Sequence, residues 1–281
     1  MTRKDDQVWF ITGTNKGMGT AIAKEALDGG YKVVATSRDP ESARKALGDS
    51  PNLLIARLGI TGDREVRSAV KAALDRFGRI DVLVNNAGYA LLGPFEEMSE
   101  KKIRQQMETN VFGTMKVTRA VLPLMRKQGS GVIIVLSSAS GVRAVGGSSI
   151  YSASKFALEG WTEGLSFELK PFGVRCMLVE PGPFRTDFAN FETSLTFSDL
   201  EIEDYKQQRE TMRNTFAWLD QNQPGDPAKL AKALMTAVDA PSPPLRLPAG
   251  KAAVAGVDQY LSGRRAEYEA RREVSAGTDF Y

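Results

Sequence analysis

The chain has 281 residues, of which 42% are hydrophobic and 25% charged, a globular composition that argues against a disordered or membrane-spanning protein. Its formal net charge is only +3, which argues against nucleic acid as a partner. It contains no histidine and one cysteine, so histidine-dependent hydrolases and internal disulfides are excluded and no metal site is predicted.

The N-terminal segment leads into the first predicted strand and lacks the apolar core of a signal peptide. The longest apolar runs have the length of strands and are too short to cross a membrane. The lone thiol, Cys176, lies in a predicted buried strand and fits a reducing compartment. We therefore expect a cytoplasmic protein with no membrane partner.

Apolar stretches of strand length alternate with longer amphipathic stretches along the chain. The predicted strands span residues 8–12, 32–36, 53–57, 82–85, 132–136, 175–179 and 245–247. The predicted helices span residues 18–28, 41–47, 63–77, 99–127, 151–170 and 227–239. Continuous Val/Ile/Leu strands separated by helices predict a parallel sheet covered on both faces, and right-handed crossovers make it a doubly wound, Rossmann-type α/β fold. We expect a single domain over residues 1–281, in which 251–281 form a charged helical tail with one apolar edge packed on the body.

The first predicted strand ends in Thr12-Gly-Thr-Asn-Lys-Gly-Met-Gly19, and a helix follows at once. The glycines permit a tight turn and a close approach to a pyrophosphate, and the helix N-terminus favours its negative charge. No Gly-Lys-Ser/Thr closes the loop, so it is not a P-loop. The candidate dinucleotide contacts are Gly13, Asn15, Lys16, Gly17, Met18 and Gly19. The alternative is a plain connector between strand and helix.

The second predicted strand leads into Ser37 and Arg38, both candidate cofactor contacts. A site selective for NAD places an acid here for the ribose 2′-hydroxyl, whereas arginine suits the 2′-phosphate of NADP. Lys16 adds a second cation on the same side. The pair favours NADP over NAD, unless both are ordinary surface charges.

Tyr151 and Lys155 lie four residues apart and therefore share one face of a predicted helix. A free tyrosine has a pKa of about 10, and an adjacent ammonium lowers it towards the working range. Ser138 follows the fifth predicted strand on the ligand edge of the sheet, where its hydroxyl can hold a substrate oxygen. Taken singly, Tyr151 and Ser138 would be ordinary packing or loop residues.

These motifs together resemble the compact branch of the short-chain dehydrogenase/reductase family over residues 7–250. The matching elements, in the family's order and spacing, are the glycine loop at 12–19, Asn-Asn-Ala-Gly at 85–88, Asn110, Ser138, Tyr-x-x-x-Lys at 151–155 and Pro-Gly at 181–182. The segment 151–160 resembles the branch of 17β-hydroxysteroid dehydrogenases and their bacterial relatives.

The resemblance implies that Tyr151 donates a proton to the carbonyl oxygen while Lys155 binds the nicotinamide ribose and tunes it. Ser138 would orient the substrate, and Asn110 would hold a water that connects Lys155 to solvent. Further implied cofactor contacts are Asn86, Ala87 and Gly88 beside the adenosine ribose, and Pro181, Gly182, Phe184 and Thr186 around the carboxamide. A homo-oligomer, dimer or tetramer, is expected through the helices that carry Asn110 and Tyr151.

One position departs from the family. An aspartate that contacts the adenine amine is usual where this chain has Gly59, and Asp63 is out of register and predicted only to start the next helix. The sequence therefore predicts that Gly59→Asp would tighten NADPH binding.

Residues 187–224, after Pro181 and Gly182, form an insertion where a lid over the nicotinamide would lie. In and just before it stand Phe184, Phe188, Phe191, Phe197, Phe216 and Trp218. An aromatic lid excludes water, so we expect a bulky, apolar ketone or secondary alcohol as substrate. The leading hypothesis is an NADPH-dependent carbonyl reductase. The alternatives are a non-catalytic dinucleotide-binding redox sensor and a sugar-nucleotide epimerase or dehydratase.

Overall fold

A seven-stranded parallel sheet forms the centre of the computed structural model, which describes residues 4–190 and 194–280. The strands are β1 Val8–Thr12, β2 Lys32–Ser37, β3 Leu53–Arg57, β4 Val82–Asn85, β5 Ala90–Leu92, β6 Gly131–Leu136, β7 Val174–Pro181, β8 Leu195–Phe197 and β9 Arg246–Ala249. The order across the sheet is β3-β2-β1-β4-β6-β7-β9, and every pair is parallel. The predicted doubly wound α/β fold is confirmed.

Helices cover both faces of the sheet. They are α1 Gly17–Asp28, α2 Pro40–Leu47, α3 Asp63–Phe77, α4 Glu100–Met107, α5 Thr114–Gln128, α6 Ser149–Leu169, α7 Lys206–Leu219, α8 Pro227–Asp239, α9 Lys251–Glu269 and α10 Arg272–Ala276. Because side chains alternate along a strand, β1 sends Phe10 into the core under α3, α5 and α6, and Trp9 and Ile11 into the core under α1 and α8. The strand order runs outward in one direction from β1 to β3 and in the other from β4 to β9, so the order reverses between β1 and β4. In such folds, ligands are expected outside the carboxyl ends of the strands at this point.

The structure differs from the sequence prediction in the middle of the chain. The helix predicted over 99–127 is interrupted by a π-helical stretch, Glu108–Gly113, that separates α4 from α5. A second, two-stranded parallel sheet pairs β5 with β8 and was not predicted. Each of its strands has three residues, too few for a periodic signal.

The insertion leaves and rejoins the body at one closed stem. Phe184 and Gly225 form a parallel β-bridge, in which the Arg185 amide donates to the Gly225 carbonyl and the Gly225 amide to the Pro183 carbonyl. The predicted C-terminal tail is helical and packs on the body near its start, through Ala253 and Val257, while residues 261–280 are exposed. Within residues 4–190 and 194–280, every helix is too short or too polar to span a bilayer.

Candidate active site

The turn between β1 and α1 has room only for glycine at its closest point. Gly13 and Gly17 have φ angles of +72° and +61°, and a Cβ on Gly19 would lie 2.1 Å from the Gly13 carbonyl oxygen. Helix α1 begins at Gly17, and the side chain of the preceding Lys16 does not cap it. The start of α1 thus has no cap from this side chain, and amides in the first turn of a helix are suited to bind an anion such as a pyrophosphate.

Other predicted contacts in this loop have structural roles. The Asn86 side-chain amide donates to the Thr12 and Gly13 carbonyls over 2.8 and 3.0 Å, so it fixes the loop. The Thr12 hydroxyl accepts from the backbone amides of Asn86 and Ala87. Met18 packs against the apolar core of the α1 face, and Asn15 is half-buried. The sequence did not show that Asn86 shapes the loop, because its partners lie more than 70 residues away.

Two cations stand at the carboxyl end of β2 and in the glycine loop. Arg38 is exposed, and the buried Ser37 hydroxyl accepts from the Asp39 amide. Burial lowers the pKa of Lys16; the carboxylate of Asp187 opposes this effect, and the charge of Arg38 adds to it. Lys16 therefore lies within electrostatic reach of both. Asp187, at the start of the insertion, was missed by the sequence reasoning, since nothing in its neighbourhood marks it as facing the glycine loop.

Tyr151, Ser138 and Lys155 come together where β6 ends and α6 begins. All three are buried, and the Tyr151 hydroxyl is hydrogen-bonded to Ser138. The Lys155 Nζ donates to the Leu136 carbonyl over 2.7 Å and lies 5.8 Å from the centroid of the Tyr151 ring. The spacing of four residues on α6 thus places the ammonium beside the ring, as predicted from helix geometry.

Burial dominates the proton affinities of this group. It raises the pKa of Tyr151 to about 12, and the Ser138 hydrogen bond opposes the rise. It lowers the pKa of Lys155 to about 8, and the carboxylate of Glu159 opposes the fall. The predicted lowering of the Tyr151 pKa by Lys155 is not seen, because removal of the phenolate from water outweighs the ammonium at this distance.

Asn110 lies in the π-helical stretch and is almost fully buried. Its amide nitrogen donates to the Tyr89 carbonyl and to Ser154 Oγ, and its amide oxygen accepts from the Tyr89 backbone. Gly88 packs directly on this amide. Both side-chain N–H groups are therefore used within the chain, and the expected water at Asn110 would have to be held by other atoms of the residue.

The predicted carboxamide contacts divide into two groups. Pro181 ends β7, Gly182 donates its amide to the Ala249 carbonyl, and Thr186 lies against Gly17 of the glycine loop. Phe184 instead packs into the core under α1 and α8 and not with the other aromatic residues expected in a lid, and its contact with the carboxamide stays a prediction. The bridge to Gly225 turns this part of the stem inward.

Three of the predicted lid aromatics pack on the apolar cluster that includes the tyrosine. Phe188, Phe197 and Phe216 pack, with Met212, against a small buried cluster that contains Tyr151 and Leu195. The Phe188 and Tyr151 ring centroids are 6.1 Å apart. Trp218 is exposed, and Phe191 lies outside the described residues. The Tyr151 ring is therefore packed among apolar side chains, while its hydroxyl meets Ser138.

A buried ion pair holds the insertion, residues 187–224, on the body. Glu97 is fully buried and accepts from Arg209 of α7 and, over 2.8 Å, from the Ile202 amide. Beside it, the Asp199 carboxylate accepts from the Ser99 amide and hydroxyl. Both acids bind across about 100 residues of sequence, which explains why the pattern of charges did not reveal them.

A parallel dinucleotide-binding fold with a buried Tyr–Ser–Lys group defines an oxidoreductase that uses a nicotinamide dinucleotide. Residues 7–194 match the family model described as short chain dehydrogenase. The chain therefore belongs to the short-chain dehydrogenase/reductase family.

Relatives agree with this assignment over almost the whole chain. A solved short-chain dehydrogenase from Streptomyces avermitilis is 40% identical, with a TM-score of 0.88 over 97% of this chain and 100% of that one. Oxidoreductase BOA17 from Botryotinia fuckeliana is 34% identical over 96% of this chain and 98% of its own length. A 3-ketodihydrosphingosine reductase from Bacteroides thetaiotaomicron is 35% identical over 87% and 88%. Other solved short-chain dehydrogenases with this fold contain NAD or NADP.

Proposed function

We propose that this protein is an NADPH-dependent reductase that converts an apolar ketone or other carbonyl compound into the alcohol. One observation carries the proposal: the buried Tyr151 hydroxyl, bonded to Ser138, lies beside the Lys155 ammonium at the ligand edge of the sheet. The bound dihydronicotinamide would supply the hydride, and the protein's own residues supply the proton and the positioning.

The proton chemistry favours reduction. A tyrosine with a pKa of about 12 is protonated at neutral pH and can donate its proton as negative charge develops on the substrate oxygen. Ser138 orients that oxygen, and the Lys155 ammonium stabilises the phenolate that forms. Asn110 completes the group by fixing the Tyr89 backbone and Ser154 beside it.

The preference for NADPH rests on Lys16 and Arg38. Arg38 extends from the end of β2, where the 2′ position of the adenosine ribose is bound in this fold. Both side chains present N–H donors that suit a phosphate. The carboxylate of Asp187 partly compensates the positive charge of Lys16. The remaining proposed contacts are the amides of the glycine loop, Ser37, and Gly88, Gly182 and Thr186 along the cleft.

The substrate class rests on the lid, for which we propose residues 187–224. Phe188, Phe197 and Phe216 make the surroundings of Tyr151 apolar. The Bacteroides relative is named for a keto derivative of a sphingoid base, a long-chain molecule, which is in line with an apolar pocket. We also propose a cytoplasmic homo-oligomer, in which the exposed Phe112 and Phe167 of the α4–α5 and α6 region are covered.

The test is NADPH oxidation against a panel of aliphatic, aromatic and steroidal ketones, with NADH run in parallel. We expect turnover with apolar ketones and a higher kcat/KM with NADPH. Tight NADPH binding without turnover on any ketone would indicate a dinucleotide sensor instead of a reductase.

A further inference from the structure

A cluster of charged groups lies one helical turn beyond Lys155, and the proposed reaction does not use it. The cluster runs from two buried acids to the surface. Glu159 of α6 and Glu180 of β7 are 7% and 2% exposed. Arg246 of β9 lies between them, with its Nε 3.1 Å from Glu159 Oε2 and 3.6 Å from Glu180 Oε1. Its Nη2 binds Glu163 at the surface over 2.6 Å.

The turn that follows β6 packs closely on both Lys155 and Glu159. A Cβ on Gly141 would lie 3.2 Å from both Lys155 Cβ and Glu159 Cγ, and 2.5 Å from Ser137 Oγ. Only a glycine allows the backbone to approach so closely. Lys155 and Glu159 therefore share surroundings from which water is largely excluded, and charges interact more strongly there than at the surface.

The buried acids of the cluster are poorly compensated by positive charge. A single guanidinium, that of Arg246, is shared among three carboxylates, and its contact with Glu180 is the longest of the three, 3.6 Å. Oε1 of Glu159 and Oε1 of Glu180 also have no hydrogen-bond partner among the described residues. A buried carboxylate in that position is costly, so one of the two buried acids takes up a proton.

The geometry selects Glu180 as the protonated acid. It is the more buried of the two, and its contact with Arg246 is the longer. Burial and the charge of Glu159 raise the pKa of Glu180 to about 7, against the opposing effect of Arg246. Burial also raises the pKa of Glu159, but the charges of Arg246 and Lys155 favour its ionised form.

We propose that Glu159 and Glu180 are positioning residues for Lys155, a carboxyl pair that is coupled through Arg246 and carries one proton, and whose ionised member, Glu159, keeps the Lys155 ammonium charged. This inference rests on the proposed function of Lys155. It adds a reason why a lysine this deeply buried can still stabilise a phenolate. Glu159 acts on the reaction only through Lys155, and the structure shows neither acid in contact with Tyr151.

The first test measures Lys155 directly, without activity. The protein is labelled with ¹³Cε-lysine, Lys155 is assigned with Lys155→Met, and its titration is followed by NMR. In the wild type we expect a midpoint near pH 8. In Glu159→Gln the midpoint should fall by about half a pH unit or more, because a favourable charge is lost. Glu163→Gln is the matched control: it also removes a partner of Arg246 but lies at the surface, so its midpoint should stay at the wild-type value.

The second test follows the proton of the pair by infrared spectroscopy. A protonated, buried carboxyl band should be present below pH 7 in the wild type and absent in Glu180→Gln. In Glu159→Gln the band should disappear at a lower pH, because the neighbouring negative charge is gone. If Glu159→Gln does not fold, the Glu180→Gln spectrum decides: a band that persists unchanged overturns the pair.

Activity separates this inference from the proposed function. With an apolar ketone, the alkaline decline of kcat should move to lower pH in Glu159→Gln and stay in place in Glu163→Gln. Equal midpoints for Lys155 in the wild type and in folded Glu159→Gln would overturn the inference even if the enzyme reduces ketones. A shifted midpoint in a protein that reduces no ketone would support the pair and refute the proposed function.

Discussion

Replacement of Tyr151 by phenylalanine removes the proposed proton donor and leaves the ring in place. The ring is buried against Phe188 and next to the Lys155 ammonium, and phenylalanine keeps both contacts. The lost group is the hydroxyl bonded to Ser138. Loss of acid–base catalysis costs roughly 10²–10⁴-fold, so kcat for ketone reduction should fall by at least about a hundredfold.

The assay is steady-state NADPH oxidation, together with NADPH titration by fluorescence. NADPH binding should remain nearly unchanged, since the tyrosine hydroxyl faces the substrate oxygen. Tyr31→Phe is the matched control: it removes the hydroxyl of another buried tyrosine, which donates to Asp239 far from the site, and should keep full activity. If Tyr151→Phe retained more than about a tenth of wild-type kcat, Tyr151 would not be the acid.

Three further predictions concern the cofactor, the lid and the assembly. Replacing Lys16 and Arg38 by alanine should lower the ratio of kcat/KM for NADPH to that for NADH, since each charge-assisted bond contributes roughly 1.5–3 kcal/mol; an unchanged ratio would show them to be surface charges. Arg209→Met should leave the buried Glu97 without its cation and lower the free energy of unfolding by about 3–5 kcal/mol in urea titrations. Lys206→Met, which breaks an exposed ion pair, should change it little. Equal effects of the two changes would show that the Arg209–Glu97 pair does not hold residues 187–224 on the body. Light scattering at micromolar concentration should show a dimer or tetramer, and a monomer alone would contradict the proposed assembly.

The long apolar strands and the catalytic spacing could be predicted from sequence because each is a local pattern. Strand β1 was predicted with the bounds that the structure has, and α6 begins two residues before and ends one residue before its predicted limits. The four-residue spacing on α6 was sufficient to place Lys155 beside Tyr151. These features depend on periodicity over one element, which a single sequence contains.

What the sequence could not show depends on contacts between distant segments. Glu180 and Arg246 are brought together by the β7–β9 pairing, so the charged surroundings of Glu159 are absent from any local pattern. The sequence places Phe184 among the lid aromatics, but Phe184 forms a β-bridge with Gly225 and packs in the core. Asn110, in the π-helical stretch, binds Tyr89 and Ser154, which lie 21 and 44 residues away in sequence, so these contacts leave no local pattern either.

Gly59 is the position at which the structure reverses an expectation from the sequence. Its φ is not in the left-handed region, so an aspartate there would not strain the backbone. The space is not vacant, however. The Glu65 carboxylate accepts from the Gly59 amide over 2.5 Å, and its oxygen would lie 2.9 Å from the new Cβ. The Gly59 hydrogen bond and Arg57 both lower the pKa of Glu65, so this carboxyl is ionised at neutral pH.

Gly59→Asp should therefore weaken NADPH binding instead of tightening it. Repelled by Glu65, the new carboxylate would turn towards Arg38, whose Cγ lies 3.9 Å from the new Cβ, and compete with the 2′-phosphate for that cation. Because these groups are exposed to solvent, the effect is about 1 kcal/mol or less, at most roughly a fivefold rise in Kd. NADH lacks the 2′-phosphate, so its Kd should change less. Gly59→Asn has the same size without the charge and should bind NADPH as the wild type does. The measurement is fluorescence titration of NADPH and NADH into the wild type and the two variants. Tighter NADPH binding by Gly59→Asp would show that repulsion by Glu65 and competition for Arg38 do not determine the affinity.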